Sequence, residues 1–247
     1  MNYEDVQKVS NAAKAKSNLV NTNFFKYFIR AVMAGFFIDV AMIYSNVVGN
    51  VFSKTMPEWG KFMGALVFSI AVLLISFVGG ELFTGNNMVM AMGVYTKTCK
   101  VSDMIKTWVI SYIGNFVGSF ILGGLFVWSN ASHQILVDYY RSFIYTKLDA
   151  TPMELFIRGV LCNFLVCLAV YTGMKLKSES GKMIMMFCII TAFVLAGFEH
   201  CVANMGTFTI GYMLLGDIGT AAVIKSQFFV TLGNIVGGAV LLAFPLK

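Results

Sequence analysis

Two short segments carry groups that are costly in hydrocarbon. They are Gly79-Gly80-Glu81-Leu82-Phe83-Thr84-Gly85-Asn86 and Gly197-Phe198-Glu199-His200-Cys201-Val202-Ala203-Asn204. Each sets Glu, then four residues, then Asn inside an apolar run long enough to cross a bilayer. Ionisable residues at membrane depth mark permeation paths or buried polar networks. Glu81 and Glu199, with Asn86 and Asn204, suit the task of tying down backbone N–H groups freed where a helix breaks. Thr84 offers a hydroxyl. His200 offers an imidazole, the side chain best placed to switch near neutral pH, although burial opposes its charged form. The expectation is a mostly neutral ring that donates a hydrogen bond, or gives up a proton only when an anion arrives. An anion entering hydrocarbon must shed water at high cost. The N-termini of two half-helices would offset part of that cost with their amides and dipoles.

The rest of the chain says where these residues lie. Of its 247 residues, 58% are hydrophobic and only 12% charged, with a mean hydropathy of +0.76. Soluble domains carry about 25% charged residues, so an integral membrane protein is expected. The apolar runs are about twenty residues long, which fits helices and not the ten-residue alternating strands of a barrel. Six spans result: 25–49, 62–97 (interrupted near 81–86), 104–129, 153–174, 183–213 (interrupted near 198–203) and 226–244. The second and fifth are too long for one straight crossing. Pro57, Pro152 and Pro245 lie at loops or ends, so Gly79, Gly80, Gly85 and Gly197 are expected to supply the backbone freedom. Residues 1–23 are polar and form an arm without a cleavable signal pattern. Residues 24–247 form one domain with halves at about 24–130 and 150–247. His133, in the loop after the third span, reads as solvated. The five cysteines form no CxxC, and no metal site or cofactor is expected. The basic pI of about 9.0 comes from loop lysines, which set orientation, and does not imply nucleic acid.

The halves repeat. Phe28-Ile29-Arg30-Ala31-Val32 matches Phe156-Ile157-Arg158-Gly159-Val160, and Gly114-Asn115-Phe116-Val117-Gly118 matches Gly233-Asn234-Ile235-Val236-Gly237. An odd number of spans per half makes this an inverted repeat, whose interface is where transport sites form. Gly35, Gly114, Gly118, Gly233 and Gly237 read as close helix contacts. Of the 18 Lys and Arg residues, twelve fall on the side of the N-terminal arm and six on the other. The positive-inside rule then puts both termini in the cytoplasm. Asp39, deep in the first span, has no role in this reading.

The residues Glu81 to Asn86, Gly159 to Val170 and Gly197 to Met205 resemble the formate/nitrite transporter family, and within it the hydrosulfide-channel branch. The resemblance covers all six spans. It implies an all-α membrane protein with an aquaporin-like protomer, five protomers around an axis, and a pore in each. Its cargo would be small monovalent anions of weak acids: hydrosulfide first, with formate and nitrite. It implies that Thr84 and His200 meet at mid-membrane, with Leu82 and Phe83 at one constriction and Phe68, Val72 and Phe193 at the other. Val72 stands where the family more often has Leu. Lys147 falls at a vestibule lysine that concentrates anions, and Asn163 at an intramembrane asparagine. The arm carrying Lys14 and Lys16 falls where the family places a gate. The implied location is the inner membrane, as a multi-pass homopentamer in lipid.

Other classes fit less well. A formate or nitrite/proton symporter shares the residues. An aquaporin-like pore for neutral solutes would show Asn-Pro-Ala at both breaks, and neither break has Pro. An intramembrane protease needs a nucleophile with a base, and Ser76 and Ser111 have no evident partner. A haem or quinone enzyme needs several intramembrane His ligands, whereas His200 is alone.

Overall fold

In a computed structural model, residues 3–247 are described, together with all side chains in that range except those of 133–135 and 138. The side chain of His133 therefore lies outside the described residues. The described residues are helical and turn segments with no strand. Helix α1 (Tyr3–Thr22) precedes the first span α2 (Phe24–Thr55). The second span runs through α3 (Pro57–Phe68), α4 (Ile70–Leu74) and a π-helical turn (Ile75–Gly79), breaks at 80–82, and resumes as α5 (Phe83–Tyr95). Then follow α6 (Val101–Trp128), α7 (His133–Leu148) and α8 (Pro152–Lys175). The fifth span is α9 (Glu179–Ala196), a break at 197–200, and α10 (Cys201–Leu215). The last is α11 (Thr220–Ile235), which continues as a π-helical stretch (Val236–Leu242) into α12 (Ala243–Leu246). Six of these segments are long and apolar enough to cross a membrane.

Local chemistry explains the boundaries. Asn23 caps α2 by accepting from Lys26 N at 3.0 Å. Pro57 and Pro152 open α3 and α8 as first-turn residues, where a missing N–H costs nothing. Thr151 and Glu154 form a reciprocal capping box. Gly197 ends α9 at φ +77°, in the left-handed region where glycine is favoured.

Two helix pairs form the frame, α2 on α6 and α8 on α11. Their crossings are backbone against backbone. A Cβ on Gly118 would sit 2.1 Å from the Val32 carbonyl oxygen, and one on Gly237 would sit 2.2 Å from that of Val160. These glycines occupy corresponding places in the two halves, as the sequence repeat requires. Large apolar side chains such as Phe120, Ile184 and Phe228 face outward, as a lipid-facing or protomer-facing surface demands.

Two expectations need correction. The first break lies at 80–82, ahead of the expected 81–86, so Thr84 and Gly85 are already helical. Gly85 supplies no backbone freedom, and Gly79, at φ +99°, does. The segment after the third span is the helix α7 rather than a loop. Its C-terminus is held by Lys225, whose Nζ donates to the carbonyls of Leu148 (3.0 Å) and Ala150 (3.2 Å). The arm before α2, left open in the sequence between an amphipathic and a flexible segment, is the helix α1, packed on α5, α6 and α8.

Candidate permeation site

Each break is held by the same set of bonds. At the first, Glu81 N donates to the Arg30 carbonyl at 3.0 Å. Asn115 Oδ1 accepts from Phe83 N (2.9 Å), and its Nδ2 donates to the carbonyls of Ala31 (2.8 Å) and Glu81 (3.0 Å). At the second, Glu199 N donates to the Arg158 carbonyl at 3.3 Å. Asn234 Oδ1 accepts from Cys201 N (2.9 Å), and its Nδ2 donates to the carbonyls of Gly159 (2.8 Å) and Glu199 (2.9 Å). The opening amide of each half-helix is thus taken by an asparagine and is not free for cargo. The half-helix dipole remains. Sequence reasoning used Asn115 and Asn234 only as marks of the repeat. The buried asparagine inside Gly-Asn-x-Val-Gly, present twice, was the signal of their task.

Glu81 and Glu199 face lysines from the helices that precede each half. Lys16 of α1 reaches Glu81 Oε2 at 2.5 Å. Lys147 of α7 reaches Glu199 Oε1 at 3.0 Å and Oε2 at 2.8 Å, and Asn204 Oδ1 at 3.1 Å. Asn86 and Asn204 complete the match by donating to Glu81 (3.3 Å) and Glu199 (2.8 Å). The inverted repeat therefore includes α1 and α7, beyond the six spans.

The two breaks meet at Thr84 and His200. Thr84 Oγ1 lies 2.9 Å from His200 Nε2, and both side chains are buried. His200 also caps its own half-helix, because its Nδ1 accepts from Ala203 N at 3.1 Å. With Nδ1 an acceptor, the hydrogen-bond network assigns the ring proton of the neutral imidazole to Nε2, aimed at Thr84. The Thr84 carbonyl receives Asn163 Nδ2 (3.2 Å) and Cys167 Sγ (3.3 Å), so this turn is fixed from behind.

A cavity of about 630 Å³ opens on one side of His200. Phe68, Phe193, Phe143, Lys61, Arg158 and Lys147 are among its lining residues. The Phe68 and Phe193 rings meet edge to face, 6.0 Å apart, and Phe193 stacks on the His200 ring at 6.2 Å. The aromatic pair therefore stands at the cavity end nearest the imidazole.

A family model for the formate/nitrite transporter matches residues 3–246. The chain belongs to the formate/nitrite transporter family. It is similar to the uncharacterized transporter YwcJ of Bacillus subtilis, with 31% identity over 252 residues, 99% of this chain and 96% of that protein. Among solved structures it is similar to a formate/nitrite transporter family ion channel, with a TM-score of 0.93, 27% identity, and 99% of this chain and 98% of that one covered. It is also similar to a pentameric formate channel with formate bound, with a TM-score of 0.78, 28% identity, and coverage of 90% and 95%.

The residues singled out by the formate/nitrite transporter resemblance divide into groups. Phe68, Val72, Leu82, Phe83 and Phe193 are buried in one apolar cluster. Of these, Phe68 and Phe193 line the cavity, and Leu82, Phe83 and Val72 do not. Phe83 packs edge-on against Tyr112 at 5.0 Å. Asn163 does not line the cavity. It is fully buried and donates to Asn87 Oδ1 (3.0 Å) and the Asn234 carbonyl (2.6 Å) as well as to Thr84, which makes it a clamp between the halves. Lys147 does line the cavity, but its charge is already matched by Glu199, and its ammonium sits 4.9 Å from the Phe143 ring centre. Lys14 is exposed on α1. Asp39 is buried against Gly206, where a Cβ would sit 2.0 Å from its Oδ1.

Proposed function

We propose that the chain is a channel for small monovalent anions of weak acids, hydrosulfide first, with formate and nitrite also carried. The observation that carries this reading is the contact of Thr84 with His200 where two half-helices abut. An anion that has lost its water needs donors that cost nothing to align. The neutral His200 ring holds Thr84 Oγ1 as an acceptor, which leaves the threonine O–H free to donate to an arriving anion. Acceptance of the Ala203 amide by Nδ1 supports hydrogen-bond assistance over donation from an imidazolium, which would give that amide bond up. The Phe68–Phe193 pair excludes water on one side, and Leu82 and Phe83 do so on the other. The compact hydrosulfide ion suits such a dry passage.

In this proposal residues 24–247 form the channel domain and residues 1–23 a cytoplasmic arm. The docking of Lys16 on Glu81 makes that arm, with Lys14 and Lys16, a candidate gate. The family resemblance and the similar pentameric channel support a homopentamer in the inner membrane, and the lysine distribution supports both termini on the cytoplasmic side. The test is flux of hydrosulfide, formate, nitrite and chloride in one proteoliposome preparation. The expected order places hydrosulfide above formate and nitrite, and all three far above chloride. Equal passage of chloride, or passage of none of them, overturns the proposal.

A further inference from the structure

The cavity beside His200 is larger and more aromatic than a triatomic anion requires. Tyr139 and Phe143 of α7 and Phe198 of the second break stand in its wall, with Phe68 and Phe193 at its inner end. Its charge is also unbalanced. Among the described residues, Lys61, Lys147 and Arg158 line it against the single carboxylate of Glu199. Glu199 and Asn204 already occupy Lys147, so the surplus belongs to Lys61 and Arg158. Arg158 has Glu154 at 3.8 Å, with both side chains partly exposed. Lys61 makes no ion pair among the described residues. Its Nζ lies 3.8 Å from the point a Cβ on Gly197 would occupy, which places the ammonium over the end of α9 at the second break.

We infer that this cavity binds an aryl monoanion, a carboxylate or sulfonate on a single ring, which occludes the anion path. The inference rests on the channel reading above and adds a second class of ligand to it. A flat ring gains contact with the Phe and Tyr faces that formate cannot make. Its anionic head gains the Lys61 ammonium as a mobile point charge and the Arg158 guanidinium, in place of its long contact with Glu154, as a planar donor fork. The cavity reaches His200, so a ring held between its aromatic walls stands on the anion path and competes with cargo.

The test uses benzenesulfonate, which stays ionised and so does not cross lipid as a neutral acid, with methanesulfonate as the ringless control. Calorimetric titration of the detergent-solubilised full chain is paired with formate flux in proteoliposomes. Benzenesulfonate is expected to bind saturably and to raise the apparent KM for formate without lowering the maximal rate. Methanesulfonate is expected to bind at least about tenfold more weakly. Lys61→Met is expected to weaken benzenesulfonate about tenfold, and Lys61→Arg to retain it. Equal binding of the two sulfonates, or Lys61→Met binding like the parent, overturns the inference. Flux without benzenesulfonate binding refutes this inference alone. Binding without passage of any anion refutes the channel reading and leaves the aryl site standing.

Discussion

Thr84 and His200 are 116 positions apart in the chain, yet Oγ1 of one lies 2.9 Å from Nε2 of the other. The contact joins the first turns of two half-helices that enter from opposite sides. Its geometry depends on the Ala203 amide, which fixes the imidazole, and on Asn163, which fixes the threonine backbone.

His200→Phe keeps a ring beside Phe193 and deletes both nitrogens. It is expected to cut anion flux at least about tenfold while the oligomer stays intact. Because the parent ring is neutral, with Nδ1 held as an acceptor by the Ala203 amide, the shape of the pH profile between about pH 5 and 8 should be the same in both proteins. Vesicle flux at stepped pH, with sizing of the purified oligomer, checks this. Unchanged flux would remove His200 from the path, and a pH step in the parent that the variant lacks would show that the ring titrates.

Lys147→Met strands Glu199 in a buried position, since the side chains of the pair are only 13% and 5% exposed. Removing one partner of a buried ion pair costs about 3–5 kcal/mol. Restoring neutrality with Glu199→Gln should recover most of that loss in a double-mutant cycle. Because so little of the pair meets solvent, added salt should change the defect little. A defect that vanishes in high salt would instead mean that Lys147 steers anions toward the mouth.

Asn115→Ala and Asn234→Ala each delete three hydrogen bonds to backbone, two at the break and one to the helix packed against it. Each should cost about 2–3 kcal/mol, because buried amides and carbonyls lose partners. The two losses should be similar, and thermal unfolding in detergent measures both. A large cost on one side alone would show that the halves do not share the load.

Gly118→Ala and Gly237→Ala press a methyl into facing backbone at 2.1 and 2.2 Å. Backbone in a packed crossing has nowhere to move, so a loss of about 3 kcal/mol or failed assembly is expected. Gly85→Ala is the control, because its nearest contact is Val170 Cγ2 at an ordinary 3.5 Å. It should be tolerated, with unfolding temperature as the readout.

The sequence made the frame legible because the cost of burying charge leaves a coarse mark. Six apolar runs, two of them interrupted by Glu, became six spans with breaks at matching places. The repeat pairs Phe28–Val32 with Phe156–Val160 and Gly114–Gly118 with Gly233–Gly237, and these are the helix crossings in the structure. What stayed hidden depends on pairing across the chain. Glu81 and Glu199 read as break supports, but nothing local joins them to Lys16 and Lys147. Helix α7 escaped notice because Asp138, Arg141, Ser142 and Lys147 interrupt its apolar residues. Gly85 looked like a hinge because composition does not separate a glycine that bends the chain from one that sits in a regular helix with room for a methyl.

The matched lysine–glutamate–asparagine clusters have a consequence for rectification. An ion arriving from either leaflet meets amide dipoles of like polarity, backed by the same trio of side chains. Under the channel reading proposed above, the matched centre by itself favours neither direction of flow. Any bias must come from what surrounds the centre, which differs between the halves: Lys16 of α1 docks on Glu81 in one, while Tyr139, Phe143 and Phe198 line an open cavity beside Glu199 in the other.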